Sequence, residues 1–337
     1  KKEMNDTDAK KILSNTIKSR VNPEKSKSLL PPANTVTNLV RSIQKICQEE
    51  DNLLYIDGDI TIVGDIHGNV DDLIDIFLMN GFPPKVRYLF LGDMIDRGEY
   101  SVEVLLILYS LKFLYPKEIF LLRGNHESMS LSMKYGFKKE CECKYSTNIY
   151  FRFVQTFVFL PIAAIVNHKY FCVHGGISPE STNLEAIKSI EKATQIEESK
   201  VITGLVWSDP LKTSKGFEEN DRGCGYYYND DNLNKFLHQN HFELLIRSHE
   251  ACAMGFEMSL EKCLTIFSNT NYCDMKNIAT ICNITENEDL ALDNSQKGKP
   301  NSDQIHIKKD CCLLKLKKPA SKVVLCNRII QEIESSN

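Results

Sequence analysis

Residues 60–81 read ITIVGDIHGNVDDLIDIFLMNG, and this stretch sets the architecture of the chain. Its first four residues are all β-branched and three of them are apolar, which is typical of a strand buried on both faces. The turn GDIHG at 64–68 follows, and apolar residues then recur at helical spacing up to Gly81, a residue type that commonly ends helices. Strand, glycine-rich turn and helix in this order predict one step of a βαβ unit.

The same order recurs further along the chain. Apolar runs at 88–91 and 119–122 predict two more strands, separated by a helix for which Ser101 is the expected N-cap. Successive strands joined by helices form a parallel sheet with right-handed crossovers. Additional strands are predicted at 170–173, 244–246 and 264–267. The pattern indicates an α/β core built in layers.

Composition divides the chain into an arm at 1–35, a folded domain at 36–318 and a C-terminal tail at 319–337. The N-terminal arm is basic and has few apolar clusters, so we expect it to be mobile or loosely docked. Within the domain, the polar stretch at 286–309 is interpreted as an insertion. In the tail, apolar residues over 323–333 predict a short element that closes the core.

Charge and hydropathy argue against several functions. The chain has 337 residues, with 41 Lys and Arg against 45 Asp and Glu, for a formal net charge of -4. It lacks the basic field that holds nucleic acid, and no apolar run approaches the ~20 residues that span a bilayer. The 12 cysteines lack zinc-ribbon spacing and are expected to be buried free thiols, which favours the cytoplasm or nucleus. We therefore expect no nucleic-acid partner and no membrane partner.

Polar side chains follow the carboxyl ends of the predicted strands. They are Asp65, His67, Asp93, Asn125, His174 and His249. Because the carboxyl ends of neighbouring strands converge on one crevice in α/β sheets, these six side chains should meet. Their carboxylate, imidazole and amide donors suit divalent ions, and they are enough for two ions about 4 Å apart if one carboxylate bridges them. The absence of thiolates from the set argues against a structural zinc site.

Three of these motifs resemble those of metallophosphoesterases: GDIHG at 64–68, GDMIDRG at 92–98 and GNHE at 124–127. Later segments resemble the phosphoprotein phosphatase family of serine/threonine phosphatases, with a type 1 or type 5-like core. Those segments are LPIAA at 160–164, HGG at 174–176, VWSDP at 206–210, NDRG at 220–223, RSHE at 247–250 and FSNTNYC at 267–273. The resemblance implies the calcineurin-like metallophosphoesterase fold, a layered β-sheet sandwich flanked by helices.

The same resemblance implies a role for each candidate residue. The metal ligands are Asp65, His67 and Asp93 for one ion, and Asp93, Asn125, His174 and His249 for the other. The residues that bind the substrate phosphate are Arg97, Arg222, Asn125 and Tyr272. His126, oriented by Asp96, would be the general acid. Two divalent ions per chain, of manganese, iron or zinc, would hold a bridging hydroxide that attacks phosphorus directly.

The function implied in this way is hydrolysis of phosphoserine and phosphothreonine in proteins, with phosphoprotein substrates and regulatory or targeting subunits as signalling partners. A dinucleoside polyphosphate hydrolase or phosphodiesterase on the same metal core is the alternative, and a catalytically silent phosphatase-like scaffold is a third. The sequence also departs from the family in one loop. Asn269 and Thr270 stand where alanine and proline usually precede Asn-Tyr-Cys.

Overall fold

Two six-stranded sheets face each other in this protein, and helices cover their outer faces. The computed structural model describes residues 3–21, 24, 26–286, 304–308, 310–317 and 322–335. The strands are β1 (Leu53–Ile56), β2 (Ile60–Val63), β3 (Tyr88–Phe90), β4 (Ile119–Leu121), β5 (Ala163–Val166), β6 (Tyr170–Val173), β7 (Asp209–Pro210), β8 (Glu218–Glu219), β9 (Tyr226–Tyr228), β10 (Leu244–Arg247), β11 (Phe256–Leu260), β12 (Cys263–Ile266), β13 (Thr280–Ile284), β14 (Gln304–Lys308) and β15 (Cys311–Lys315). The α-helices are α1 (Asp6–Val21), α2 (Ser26–Leu29), α3 (Ala33–Glu49), α4 (Val70–Asn80), α5 (Ser101–Leu114), α6 (Met129–Ser132), α7 (Phe137–Lys144), α8 (Thr147–Phe157), α9 (Leu184–Lys188), α10 (Lys200–Trp207), α11 (Asp230–Asn240) and α12 (Lys322–Ser335).

The strands predicted from the sequence divide between the two sheets. The first sheet has the order β14-β15-β13-β2-β3-β4, and its strands β2, β3 and β4 are parallel, as predicted. The second has the order β1-β5-β6-β10-β12-β11, so the predicted strands at 170–173, 244–246 and 264–267 lie here rather than beside β4. This arrangement buries the inner faces of both sheets against each other. A small third sheet, β7-β9-β8, completes the strands of the described residues.

Alternating side chains explain why the strands are apolar on both faces. In β2, Ile60 and Ile62 fill the layer between the sheets, whereas Val63 contacts the helices outside. In β6, Cys172 belongs to the inner layer and Phe171 to the opposite outer layer. The layered α/β sandwich expected from the sequence is therefore confirmed.

Eight of the twelve cysteines are buried free thiols, but Cys143 and Cys273 are exposed, contrary to expectation.

Helix α4 begins and ends as its sequence predicts. The side chain of Asn69, the N-cap, accepts a hydrogen bond from the backbone N–H of Asp72 at 3.1 Å. At the other end, Gly81 adopts a positive φ of 109° and donates its N–H to the carbonyl of Phe77. Both ends are thus satisfied locally, which fixes where α4 starts relative to the turn at 64–68.

Helix α5 is capped differently from the expectation. Ser101 is its first residue rather than its N-cap, and its hydroxyl accepts a hydrogen bond from the backbone N–H of Asp96 at 3.1 Å. The carboxylate of Glu140, in α7, instead accepts from the backbone N–H groups of Ser101 and Val102, at 2.9 and 2.7 Å. A carboxylate distant in sequence therefore performs the capping that a local serine was predicted to perform.

The structure differs most from the sequence analysis at the N-terminus. Residues 6–21 form α1, which packs against α5 and α12 instead of remaining loosely attached. Its buried apolar residues are Ala9, Ile12, Leu13 and Ile17. These few positions lie on one face of the helix. Because polar residues separate them in the sequence, the average composition of the segment does not reveal that apolar face. Arg20 adds a 3.0 Å hydrogen bond to Asp71, which anchors the end of α1 to α4.

The C-terminal element expected over 323–333 is α12, which packs on α1 and α4. The expected insertion at 286–309 falls mainly outside the described residues, apart from Glu286 and strand β14. Within the described part of the chain, no helix combines the length and apolar character required to cross a membrane.

We predict that Leu13→Ala lowers the free energy of unfolding by about 2–5 kcal/mol, because it leaves a cavity among tightly packed helices. Leu13 is fully buried in the cluster formed with α5. Urea-induced unfolding followed by circular dichroism measures the change. Lys11→Ala, at an exposed position of the same helix, is the matched control and should change it little. Equal stability of the two variants would mean that α1 is not part of the cooperative core.

Candidate active site

The candidate site lies where the carboxyl ends of strands from both sheets meet. Strands β2, β3 and β4 supply loops from the first sheet, and β6 and β10 supply loops from the second. Asp65, just after β2, forms a parallel bridge to Phe267, and its backbone N–H donates to the hydroxyl of Ser248 at 2.9 Å. The six predicted donor residues therefore meet at the junction of two sheets, not in the crevice of one.

One group of donors surrounds the ring of His67. Its Nε2 lies 3.4 Å from Oδ2 of Asp65 and 3.5 Å from Oδ2 of Asp93. Nδ1 lies 2.9 Å from the carbonyl of Ile95, a hydrogen bond that assigns the proton to Nδ1. This assignment leaves the lone pair of Nε2 facing the two carboxylates, as a metal-binding histidine requires.

A second group of donors is centred on His174. Its Nε2 lies 3.5 Å from Oδ2 of Asp93, 3.1 Å from Oδ1 of Asn125 and 3.1 Å from Nδ1 of His249. Burial lowers the pKa of His174 to about 3 and the pKa of His249 well below its ordinary value, so both rings are neutral. Neutral rings can offer lone pairs to a cation. Oδ2 of Asp93 belongs to both groups.

The donor set fits a pair of divalent ions. Oδ2 of Asp65 is buried and has no hydrogen-bond partner among the described residues, although buried carboxylate oxygens are almost always paired. Burial and repulsion from Asp65 and Glu127 raise the pKa of Asp93 well above its ordinary value, which indicates an excess of negative charge. A cation would satisfy the oxygen and offset the charge. Nitrogen and oxygen donors without thiolates are compatible with manganese, iron and zinc alike.

The backbone of the ligand residues is strained. His67, Asp93 and His249 have positive φ values of 46°, 50° and 68°, a left-handed conformation that costs about 1–3 kcal/mol for a residue other than glycine. Two neighbouring loops also approach closely, since a Cβ on Gly92 would lie only 2.3 Å from the backbone nitrogen of Gly124. The glycines were visible in the sequence, but the strain on the donors themselves was not.

Glu127 holds these loops in place, and the sequence analysis assigned it no role. Its fully buried carboxylate accepts hydrogen bonds from the backbone N–H groups of Asp93, Met94 and Gly124, at 2.8, 2.9 and 2.9 Å. One side chain therefore joins the loop after β3 to the loop after β4. The only available signal was an ionisable residue beside Asn125 and His126, and nothing in that pattern distinguishes a brace from a catalytic group.

The structure brings His126 and Asp96 together as predicted. Nδ1 of His126 lies 2.7 Å from Oδ2 of Asp96, and Nε2 lies 4.0 Å from Oδ2 of Asp93. Burial raises the pKa of Asp96 to about 7, while burial and the charges of His67 and Arg97 lower the pKa of His126. The pair can therefore hold a proton next to the donor cluster. His126 also falls within 4.8 Å of His67 and Asp93 donor atoms, so proximity alone would allow it to be a ligand.

The two predicted arginines are held by different neighbours of the cluster, Tyr135 and Asp209. Arg97 is exposed, with its guanidinium 3.9 Å above the ring of Tyr135, which in turn contacts His126. Arg222 donates Nε to Oδ2 of Asp209 at 2.6 Å. Asp209 also accepts at 2.8 Å from Arg247, a fully buried cation. Asp209, another residue without an assigned role in the sequence analysis, thus orients one of the arginines.

Tyr272 lies against the donor group around His67. Its ring is stacked on His67, with 5.0 Å between ring centres and 18° between planes. Every residue predicted for the site is accordingly found at or beside the same cluster.

Comparison with known proteins identifies the family. A profile of the calcineurin-like phosphoesterase family matches residues 58–253, more than half of the chain. The chain belongs to the calcineurin-like phosphoesterases. Its structure is similar to that of a protein serine/threonine phosphatase from Saccharomyces cerevisiae with similarity to human phosphatase PP5. The two share 29% identity and a TM-score of 0.78, over 90% of this chain and 96% of the yeast chain.

A cold-active protein-tyrosine phosphatase from a psychrophilic Shewanella species shares the fold more distantly. It has 15% identity and a TM-score of 0.50, over 72% of this chain and 80% of that one. Membership of the calcineurin-like phosphoesterases implies phosphoester hydrolysis with a divalent metal pair. The donor groups around His67 and His174 provide candidate ligands for that pair.

We predict that Asp93→Asn removes most of the bound metal, because its Oδ2 is the donor common to both groups. His126→Asn should retain the metal, since Nδ1 of His126 is held by Asp96 and the ring is expected to donate a proton instead. Metal per chain after dialysis against manganese, measured by inductively coupled plasma mass spectrometry, separates the two variants. A loss in His126→Asn as large as in Asp93→Asn would make His126 a ligand.

We predict that Glu127→Gln lowers the free energy of unfolding by about 2–4 kcal/mol, because an amide replaces one acceptor oxygen with a donor facing backbone N–H groups. Chemical unfolding of the metal-free protein measures the effect without a contribution from bound ions. Glu191→Gln, at an exposed position, is the control and should be nearly neutral. A neutral Glu127→Gln variant would show that the two loops hold together without this carboxylate.

Proposed function

We propose that this calcineurin-like phosphoesterase is a metal-dependent serine/threonine protein phosphatase. The observation that supports this best is the similarity to the yeast serine/threonine phosphatase, which extends over 90% of the chain rather than over the metal-binding core alone. The similarity to the bacterial protein-tyrosine phosphatase is a likeness of fold only. Phosphoproteins are the proposed substrates, and regulatory or targeting subunits are the proposed partners.

In this proposal the six donors hold two ions. Asp65, His67 and Asp93 would hold one of them, and Asp93, Asn125, His174 and His249 would hold the other. Divalent ions at such a site supply positive charge for the phosphate and lower the pKa of water towards neutrality. The protein contributes the positions of its donors, which the strained loops and Glu127 fix before substrate binds.

Arg97 and Arg222 are proposed to bind the phosphate oxygens, assisted by Asn125 and Tyr272. A guanidinium can donate two parallel hydrogen bonds to a phosphate, which orients the group as well as attracting it. The only side-chain hydrogen bond of Arg222 within the described residues uses Nε, to Asp209. Its terminal nitrogens are therefore oriented and remain available to donate hydrogen bonds to a phosphate. Stacking on Tyr135 restrains Arg97 in the same manner.

His126 is proposed to protonate the leaving serine or threonine oxygen. Asp96 accepts the Nδ1 hydrogen bond and, together with the negative charge of a bound phosphate, favours the doubly protonated ring. As the bond between phosphorus and the leaving oxygen breaks, that oxygen takes the proton from Nε2. Asp96 remains a positioning residue because it acts through His126.

A substrate panel tests the proposal. With manganese present, we expect kcat/KM for phosphothreonine and phosphoserine peptides to exceed that for a sequence-matched phosphotyrosine peptide and for a dinucleoside polyphosphate by about tenfold or more. His126→Asn should lower kcat by about 10²–10⁴-fold while metal content stays constant. Arg222→Lys, which retains charge but loses the planar guanidinium, should mainly raise KM.

The other outcomes each identify a different function. Preference for the phosphotyrosine peptide would place the chain with tyrosine phosphatases, and cleavage of the nucleotide alone would make it a polyphosphate hydrolase or phosphodiesterase. If metal-loaded protein cleaved none of the four substrates, a scaffold role would replace the proposed activity.

A further inference from the structure

The loop between β12 and β13 carries Tyr272 and forms one side of the site. The ring of Tyr272 lies between His67, on which it is stacked, and Phe267, which it meets nearly edge-on at 5.1 Å. The same loop lines a cavity of 290 Å³ that also exposes His67 and Arg97. The conformation of this loop therefore decides whether the hydroxyl of Tyr272 is near the place where a phosphate would bind.

The loop has an unfavourable backbone that other contacts must stabilise. Four of its residues have positive φ values between 47° and 62°: Asn271, Cys273, Asp274 and Lys276. None of them is glycine, so each is disfavoured by contact between its side chain and its own backbone. Asn277 stabilises the C-terminal part of the loop, because its side chain accepts a hydrogen bond from the backbone N–H of Tyr272 at 2.8 Å.

The start of this loop, just after β12, is held by four polar residues that we call the polar latch: Asn69, Asp72, Asn269 and Thr270. The carboxylate of Asp72 accepts from the backbone N–H of Thr270 at 2.6 Å and from its hydroxyl at 2.8 Å. It also accepts from the side-chain amide of Asn69 at 2.7 Å. Asp72 is only 3% exposed, so these donors compensate for the loss of water around its charge.

Asn269 connects the latch to the metal-binding turn. Its amide nitrogen donates to the carbonyl of Ile66 at 2.9 Å, and its amide oxygen accepts from Asn69 at 3.0 Å. Ile66 lies between Asp65 and His67, the first two candidate ligands. The latch therefore ties the loop that carries Tyr272 to the backbone of the turn that carries His67.

These contacts depend on the two positions at which the chain departs from the usual pattern. Alanine at 269 would have no side-chain donor or acceptor. Proline at 270 would have neither a hydroxyl nor a backbone N–H, so three of the hydrogen bonds that tie the loop to Asp72 and Ile66 would be lost. The hydrogen bonds of Asn269 and Thr270 therefore restrain the loop here, as a proline at position 270 would restrain it by fixing φ.

We propose that the polar latch positions Tyr272 for phosphate binding, with Thr270 and Asn269 as positioning residues. This rests on the proposed function, because it assumes a phosphorylated substrate at the metal site. The hydrogen bonds of Asn269 and Thr270 are directed to Ile66 and Asp72, so the latch is proposed to act through the placement of one tyrosine. Its loss is accordingly expected to raise KM more than it lowers kcat.

The central test compares Thr270→Val with Thr270→Ser. Valine keeps the shape but removes the hydroxyl donor, and serine keeps the donor. Thr270→Val should raise KM for the phosphothreonine peptide by about 3–10-fold, the effect of one lost hydrogen bond, while Thr270→Ser should stay within about twofold of the original protein. Met275→Ala, an exposed position of the same loop, is the matched control and should behave like Thr270→Ser.

A second arm asks whether the effect passes through Tyr272. In a Tyr272→Phe background the phosphate-binding hydroxyl is absent, so Thr270→Val should change KM by less than about twofold. Persistence of the full effect in that background would overturn the proposal, as would equal KM values for Thr270→Val and Thr270→Ser. If Thr270→Val unfolds, Asn269→Ala removes the neighbouring bonds and is judged by the same criteria.

Binding of inorganic phosphate separates failure of the latch from failure of the proposed function. Isothermal titration of manganese-loaded protein with phosphate should give a Kd that Thr270→Val weakens by the same factor as KM. If the original protein cleaves no phosphopeptide but this difference in Kd remains, the proposed substrate is wrong and the latch stands. Equal phosphate affinity in the two proteins would overturn the latch whatever the substrate.

Discussion

The carboxylate of Asp93 is the constraint around which the site is arranged. Its Oδ2 lies within 3.5 Å of a nitrogen from each donor group, and its Oδ1 accepts from the backbone of His126 at 3.0 Å. To place one carboxylate in both groups, the loop after β3 adopts a left-handed turn and the loop after β4 passes within backbone contact of it. The glycines and the three hydrogen bonds of Glu127 make that approach possible.

The sequence indicated the fold and most of the site because both rest on short-range patterns. Continuous apolar runs followed by polar turns located β2, β3 and β6, and the residues after each run are the donors that the structure brings together. The resemblance to phosphoprotein phosphatases then predicted that Arg97, Arg222 and Tyr272 lie beside these donors. The division of strands between two sheets was not predictable, since a strand buried on both faces has the same apolar pattern in either sheet.

The features that could not be predicted from the sequence depend on contacts between residues that are far apart in the chain. Glu140 caps a helix that begins 39 positions earlier, and Asp209 bridges Arg222 and Arg247 from a separate strand. A carboxylate in such a role looks like any surface acid when read alone. The N-terminal helix was missed for a related reason, because its apolar face is narrow and becomes meaningful only when α5 and α12 are present to cover it.

The pairing of α1 with α12 also bears on the order in which the chain can fold during synthesis. Ser14 donates to Glu334 across 320 positions, and the backbone N–H of His249 donates to Asp65 across 184. Helix α1 can dock on α5 early, whereas Glu334 in α12 is synthesised 320 positions after Ser14. The donor cluster likewise completes only after β10 has emerged. Until β10 and α12 have been synthesised, a growing chain therefore carries an incomplete cluster of candidate metal ligands and a half-covered apolar helix, and exposed apolar surface of this kind makes folding intermediates prone to aggregation.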